Sequence, residues 1–335
     1  MHKYRLHELE GALELFSSDP FVFRPSELYK VDGPLRKELE RYNIYVVARR
    51  PRLSLIPSSL VLDSGKNAVS GVIEAHLGEQ KEHLPFKAVF ATPFQIERLG
   101  EQQFPFNFLR LWATNGYPVQ IRLHDVQRFC EQDYAPITDM YVEYVGQAFG
   151  DEGERDVVDR LIGNTGKAGH GSLQQVLAEV NASHPDQEVH LLLYSFEFHK
   201  RIVIGGGFFG TPEPKHSIDD APERFEQFFE SEVKRHARID LAEAALIRYF
   251  APQYNVKYKR TFPAQTHKIL ERMHELDVTG LAVSLSTQEH RVRLFSKAVA
   301  PSDTHLATYP ITQDENRISF FDVALPSNEC EASPA

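Results

Sequence analysis

One glutamate stands in a helical stripe of apolar residues, and it is the first group in the sequence whose setting suggests chemistry. Glu243 shares a predicted helical face with Ile247 and Phe250, at spacings of four and seven residues. A carboxylate that points inward costs roughly several kcal/mol unless it is paired or binds a metal. A glutamate at the helix edge, with its charge in water, would fit the same spacing. The spacing alone does not distinguish an inward-pointing glutamate from one at the helix edge, so the neighbouring motifs are needed as evidence.

Four other residues stand in a fixed order around this glutamate. A strand-like run closes on Tyr-Val-Gly, a predicted helix with an arginine follows, and a Pro-x-Tyr-Asn segment comes after the glutamate helix. In chain order, the positions are Tyr144, Gly146, Arg160, Glu243 and Asn255. This ordered set resembles the GIY-YIG nuclease superfamily, and the resemblance covers about residues 134–265.

The resemblance implies hydrolysis of phosphodiester bonds with the help of a divalent metal. Glu243 is then the metal ligand, for Mg²⁺ or Mn²⁺, since hard carboxylate oxygens suit both ions. Arg160 is a permanently charged fork for phosphate oxygens, and Tyr144 lies beside the attacking water. The use of one metal held by one glutamate follows from the family and not from the spacing.

Other residues have supporting roles in this interpretation. Asn255 orients or hydrogen-bonds groups within the site, and Lys257 is a candidate for phosphate contact. Gly146 has a backbone role, because glycine permits the turn that leads towards the helix. His170 lies in a glycine-rich loop, where it could take part in chemistry or simply face solvent.

The family's first tripeptide, which carries a second tyrosine, should lie shortly before Tyr144 on a neighbouring strand. That segment contains Pro136, which is unfavourable inside a strand. Tyr134 could supply the second phenol, or Tyr141 could replace it from the strand of Tyr144. Tyr117 lies too far upstream unless an insert intervenes.

The elements that must position these residues predict an α+β fold. The central domain is expected to be GIY-YIG-like, with a small mixed or antiparallel sheet flanked by helices. An α+β region precedes it and a small β-rich region follows it. The predicted regions are residues 1–125 (accessory), 126–276 (GIY-YIG-like nuclease domain), 277–326 (β-rich) and 327–335 (disordered tail).

Local patterns predict the individual elements. Leu6, Leu9 and Leu13 recur at spacings of three and four, which predicts a helix near the N-terminus. Residues 189–198 give the strongest strand pattern, and their apolar start is typical of the middle of a sheet. A helix is predicted over residues 223–238, directly before the Glu243 helix.

Composition narrows the class of protein. The net charge of −10 argues against a general polyanion binder, whose affinity comes from many Lys and Arg contacts. Basic residues nevertheless flank the Glu243 helix, which leaves room for a local basic groove. No apolar run is long enough for a transmembrane helix. Cys130 and Cys330 form neither a disulfide framework nor a zinc motif, and they fit a reducing cytoplasm.

Three functions remain compatible with the sequence. The first is a metal-dependent endonuclease, with DNA favoured as the partner. The second is a GIY-YIG-like module that binds nucleic acid or a protein without cutting it. The third is an unrelated α+β protein with a chance match. The first is favoured, because Tyr144, Arg160, Glu243 and Asn255 fall in order on the expected kinds of element.

Overall fold

The computed structural model describes residues 3–91, 93–148, 157–163, 171–204, 212–219, 222–264 and 267–324. Within these residues the protein is of mixed α+β type with several sheets. The strands are β1 (Arg5–His7), β2 (Leu9–Ser17), β3 (Phe21–Phe23), β4 (Ile44–Pro51), β5 (Leu53–Leu55), β6 (Val61–Asp63), β7 (Ala68–Leu77), β8 (Gln80–Val89), β9 (Ile96–Leu99), β10 (Phe108–Ala113), β11 (Pro118–Arg122), β12 (Asp139–Gln147), β13 (Gln187–Tyr194), β14 (Phe196–Ile204), β15 (Pro214–His216), β16 (Val278–Ser286), β17 (Arg293–Phe295) and β18 (Thr304–Pro310). The helices are α1 (Gly33–Leu39), α2 (Leu123–Val126), α3 (Ala135–Thr138), α4 (Val157–Ile162), α5 (Gly171–Ser183), α6 (Pro222–Glu230), α7 (Arg235–Phe250), α8 (Glu271–Glu275) and α9 (Phe320–Ala324).

The central sheet has five strands in the order β17-β12-β4-β13-β3. Neighbours are antiparallel from β12 through β3, whereas β17 joins β12 in parallel. Alternate side chains of β4 enter different cores, Val46 on one face and Val47 on the other. Because both faces are covered, β4 and β13 are apolar along most of their length.

Two different layers cover the faces of this sheet. The core on the Val47 face includes Leu161 of α4 and Val176 of α5. The core on the Val46 face includes α7 and a second sheet of order β14-β2-β16-β18. Helix α7 thus lies between two sheets, which explains why it is apolar on most sides. Each fully buried Leu or Ile there contributes about 1.5–3 kcal/mol.

A separate β-rich unit, residues 52–138, lies in the chain between β4 and β12 and is called the insert below. It contains one sheet of β5, β7, β6 and β8 and another of order β11-β10-β9. It has its own core, which includes Ile73, Leu84 and Leu109. β4 and β12 are therefore neighbours in the sheet although the insert separates them in sequence.

The structure differs from the sequence predictions at several elements. The predicted N-terminal helix is wrong, since residues 9–17 form strand β2 at the centre of the second sheet. The strand predicted over 189–198 is divided at Ser195 between β13 and β14, which pair in different sheets. The helix predicted over 223–238 is likewise divided between α6 and α7. The predicted helix of Arg160 is confirmed as α4.

The predicted division of the chain does not follow the sheets. The five-stranded sheet combines β3 and β4 from the region before residue 125 with β12 and β13 from the predicted central domain. It also takes β17 from the predicted C-terminal region. The physical reason is that β12 pairs with β4, not with a strand of its own region. The tail 327–335 lies outside the described residues.

Candidate functional site

Two tyrosines lie side by side on the central sheet. Tyr144 of β12 and Tyr45 of β4 have ring centroids 6.1 Å apart and nearly parallel planes, at 28°. Gly146, directly opposite Tyr45 in the ladder, leaves the space that both rings need. A Cβ atom at Gly146 would lie 2.5 Å from the Tyr45 hydroxyl and 2.6 Å from the Tyr144 ring.

The role predicted for Gly146 is corrected by this geometry. It lies inside β12 and is not among the glycines with positive φ, so no turn requires it. Its function is to keep side-chain volume away from the two phenols. Tyr45 is fully buried, whereas Tyr144 is half-buried and keeps contact with solvent.

Glu243 approaches this end of β12 from helix α7. Burial raises the pKa of Glu243 from its ordinary 4.5 to about 7, and the nearby charge of Asp240 adds to the rise. A backbone hydrogen bond from Gln147 and the charges of Lys257 and Arg160 act in the opposite direction. The Gln147 side chain also donates to Asp240 Oδ1 at 2.8 Å, so this carboxylate is held beside the end of the strand.

The same electrostatic contacts link Glu243 with the tyrosines. Burial first raises the pKa of Tyr144, the charge of Glu243 raises it further, and hydrogen bonds with Ser172 and Tyr45 lower it. The Arg160 charge also lowers the pKa of Tyr144. Burial and the charge of Glu243 raise the pKa of Tyr45 as well, and Arg160 again opposes. Four predicted or newly found groups therefore lie within electrostatic reach of one another: Tyr45, Tyr144, Arg160 and Glu243.

Asn255 fastens the segment after α7 to the strand that carries Tyr144. The helix ends at Ala251, which has the left-handed conformation common at helix ends. The Val145 amide donates to Asn255 Oδ1 at 2.9 Å, and Asn255 Nδ2 donates to the Val145 carbonyl at 2.8 Å. Asn255 is buried, so it holds the backbone next to Tyr144 and does not face solvent.

A cavity of about 610 Å³ has Asp240 and Tyr258 in its wall, whereas its described lining includes none of Tyr45, Tyr144, Arg160 and Glu243. The size suits a small ligand or part of a larger one. Its wall is of mixed charge. The basic and histidine side chains that line it are Lys234, His236, Lys268 and Arg272, and the acidic ones are Glu232, Asp240, Glu271 and Glu275. Lys257 and Arg160, both exposed, add positive charge near Glu243.

Two tyrosines predicted as alternatives do not join the group. Tyr134 belongs to the insert, where its hydroxyl donates to the Pro85 carbonyl at 2.6 Å. Tyr141 lies under the guanidinium of Arg49, 4.6 Å from the ring centroid, and packs against Phe295. His170 lies outside the described residues.

The phenol that lies beside Tyr144 is that of Tyr45, which the sequence analysis missed. Its signal was the tripeptide Asn43-Ile44-Tyr45 at the start of β4. The family spacing places the second tyrosine shortly before Tyr144 in sequence. The insert moves the partner strand about a hundred residues upstream in sequence but leaves it adjacent in the sheet.

A second polar group lies at the junction between the insert and the central sheet. His124 Nδ1 lies 3.2 Å and His190 Nε2 lies 3.3 Å from the same oxygen, Glu188 Oε1. Burial, followed by the charge of Arg50, holds the pKa of both histidines well below the ordinary value. The three side chains offer ligand atoms within 4.8 Å of one another, a spacing that a metal ion could bridge.

Comparisons with known proteins do not classify the chain: no family model, no curated protein and no solved structure matches it. Among the described residues, no helix is both long and apolar enough to cross a membrane. The interpretation of the site therefore depends on its own geometry.

Proposed function

We propose that the protein is a metal-dependent endonuclease of GIY-YIG type that hydrolyses phosphodiester bonds, with DNA as the favoured substrate. One observation carries the proposal: Tyr45, Tyr144, Arg160 and Glu243 come from four remote segments and interact at one end of the central sheet. A chance match of short motifs would not be expected to bring them together. The two-cysteine content makes a reducing cytoplasm the proposed location.

The acidic groups fit a hard divalent cation. Glu243 is a half-buried carboxylate whose pKa is raised, and Asp240 adds a second negative charge three residues earlier. A bound Mg²⁺ or Mn²⁺ would neutralise charge on the phosphate and keep several of its own waters. Glu243 would be its direct ligand, and loss of the Glu243 proton would accompany binding.

The other residues have separate roles in hydrolysis. Arg160 is exposed and permanently charged, so it can donate to phosphate oxygens that gain charge in the transition state. Tyr144 reaches solvent and can orient the water whose oxygen attacks phosphorus. The attacking water gives up a proton to solvent as its oxygen bonds to phosphorus, and the leaving oxygen takes up a proton from solvent as its bond to phosphorus breaks. Tyr45 packs against the Tyr144 ring, and Lys257 adds a positive charge for a flanking phosphate.

A module that binds without cutting is the second candidate, and the burial of Tyr45 favours it. The Tyr45 ring has 0% exposure, so only Tyr144 of the two phenols reaches water. If hydrolysis requires the hydroxyls of both tyrosines to contact the attacking water, the site would bind a phosphate but would not cleave the phosphodiester bond. Cleavage and binding therefore have to be measured separately.

The test is incubation of the purified chain with plasmid, linear and branched DNA and with RNA, with and without Mg²⁺. Glu243→Gln should reduce the cleavage rate by about 100-fold or more, as expected for loss of a main electrostatic group, while binding persists. The matched control is Glu226→Gln, which changes an exposed glutamate on α6 and should cut normally. Cleavage by Glu243→Gln at the wild-type rate would refute the proposal. Binding without cleavage by the wild type would support the second candidate.

A further inference from the structure

The buried group at the junction of insert and sheet contains a histidine that its protein neighbours cannot satisfy while the ring is neutral. His124 Nε2 lies 3.1 Å from the Pro51 carbonyl oxygen, and His124 Nδ1 lies 3.2 Å from Glu188 Oε1. Both neighbours are acceptors. A neutral imidazole has one N–H and one lone pair, so it can bond to only one of them.

The burial of His124 makes this arrangement costly. Only 2% of the residue is exposed, and Nδ1 makes no hydrogen bond. The Pro51 carbonyl fixes the proton on Nε2, in the way that carbonyls orient histidine ligands in metal sites. Nδ1 then lies 3.2 Å from a carboxylate oxygen without a hydrogen bond to it. A cation between the two atoms would turn this repulsion into attraction.

The distances fit such a cation. Glu188 and His190 are two residues apart on β13 and so lie on the same face of the sheet. Glu188 Oε1 lies 3.2 Å from His124 Nδ1 and 3.3 Å from His190 Nε2. Two ligands bound tetrahedrally to zinc at about 2.0–2.2 Å are separated by about 3.4 Å. Two of the three ligand pairs therefore already have nearly the spacing of zinc ligands, and all three ligand atoms lie within 4.8 Å of one another.

Carboxylates offset most of the positive charge around the site. Four guanidinium groups are near, those of Arg24, Arg50, Arg52 and Arg122. Arg24 pairs with Glu188, and Arg122 pairs with both Glu27 and Asp125. Arg52 is exposed, so water and salt screen its charge. Arg50 donates to His190 Nε2 at 3.2 Å, and a metal at this nitrogen would displace that contact while leaving the one to the Ile137 carbonyl.

We propose that His124, Glu188 and His190 bind one divalent transition-metal ion, Zn²⁺ by their nitrogen and oxygen donors, and that this ion fastens the insert to the central sheet. His124 belongs to α2 of the insert, whereas the other two ligands belong to β13. One metal thus ties together two units that the chain connects only through residues 51–52 and 138–139. The site is separate from Glu243 and does not depend on the nuclease proposal.

The test is the metal content of the full chain, produced without a histidine tag and dialysed against a weak chelator. Elemental analysis should find one zinc per chain, and Co²⁺ substituted for it should give the d–d absorption of a four-coordinate site. Stripping the zinc should lower the thermal unfolding midpoint, and added Zn²⁺ should restore it. Because the wild type alone gives these readouts, they do not depend on a variant folding.

Variants locate the ion. His124→Asn and Glu188→Gln should each lose the bound zinc, whereas His305→Asn, which changes an equally buried histidine elsewhere, should keep it. Zinc that remains at one equivalent in His124→Asn would overturn the assignment. So would a wild type that contains no zinc and is not stabilised by it. His124 would then carry a second proton and bridge Pro51 and Glu188 as an imidazolium. A wild-type protein that contains zinc but does not cut nucleic acid would count only against the nuclease proposal.

Discussion

At the scale of single residues, Glu243 shows how a candidate active site acts against the stability of the fold. Its pKa of about 7, compared with an ordinary 4.5, means that the folded protein disfavours the charged form. A backbone hydrogen bond from Gln147 and the charges of Lys257 and Arg160 stabilise the charged form of Glu243. They offset the effect of burial on its pKa only in part. Such an environment is expected of a carboxylate that binds a cation.

The pH dependence of stability follows from that shift. Because the folded pKa is raised, the stability linked to Glu243 is fully present below about pH 4.5 and is lost as the pH rises through about 7. Glu243→Gln removes the ionisation, so the variant should gain on the wild type as the pH rises. The gain has an upper limit of about 3 kcal/mol at pH 8, from about 1.4 kcal/mol per pKa unit.

Urea unfolding at pH 5 and pH 8 without divalent metal measures this gain. Glu226→Gln, at an exposed site, should show the same small difference from the wild type at both pH values. Equal stability differences for Glu243→Gln at pH 5 and pH 8 would contradict the raised pKa. Added Mg²⁺ should reduce the advantage of the variant, since metal binding stabilises the charged wild-type carboxylate.

At the scale of elements, the helix α7 was easier to predict than the strand β2. Residues 239–250 show their helical pattern despite burial on most sides, because Ala-Pro marks the end of the helix. In β2 the leucines at 9 and 13 suggested helical spacing, yet five consecutive residues from Leu9 are buried. A strand covered on both faces loses its alternation of polar and apolar residues, so periodicity alone cannot distinguish it from a helix.

Asn255 connects helix α7 with strand β12, and its removal should loosen both. Asn255→Ala leaves the Val145 amide and carbonyl buried without their side-chain partners. Each unpaired group costs about 1–3 kcal/mol, so the urea midpoint should fall clearly. Cleavage should fall as well, because Tyr144 precedes Val145 in the strand.

Asn115→Ala is the matched control for this change, because Asn115 lies in an exposed turn of the insert. It should change the free energy of unfolding by no more than about 0.5 kcal/mol, as is usual for surface positions. If Asn255→Ala were as stable as Asn115→Ala, the fastening of α7 to β12 would have to come from other contacts.

At the scale of the whole molecule, the sequence predicted three of the four grouped residues and missed the fourth. Tyr144, Arg160 and Glu243 were predicted from their order along the chain and from the family resemblance that this order carries, each on an element with a clear local pattern. Tyr45 was missed because pairing of β4 with β12 is a long-range contact that the insert conceals. The His124 group was missed for the same reason, since Glu188-x-His190 gains meaning only when α2 is packed against β13. Local patterns predict elements, but strand pairing across an insert requires the tertiary structure.

The insert should be dispensable for the candidate active site. None of Tyr45, Tyr144, Arg160 and Glu243 lies within residues 52–138. β4 and β12 are antiparallel neighbours with Arg49 opposite Tyr141, so a short hairpin loop can replace the insert. The insert also buries its own core, which lowers the apolar area that its removal exposes. We expect the shortened chain to fold, to keep Mg²⁺-dependent cleavage and to lose the zinc, because His124 is gone.

Three measurements on the shortened chain separate these expectations. Circular dichroism and a cooperative thermal transition establish that it is folded, elemental analysis gives the zinc, and the cleavage assay gives the activity. Some loss of stability is expected, because Arg50 and Glu188 lose the cover of α2 and α3. The same shortened chain with Glu243→Gln is the control for contaminating nucleases. A shortened chain that folds cooperatively and binds nucleic acid but does not cut would show that the insert contributes a group to the reaction, and Tyr45, Tyr144, Arg160 and Glu243 would then be an incomplete site.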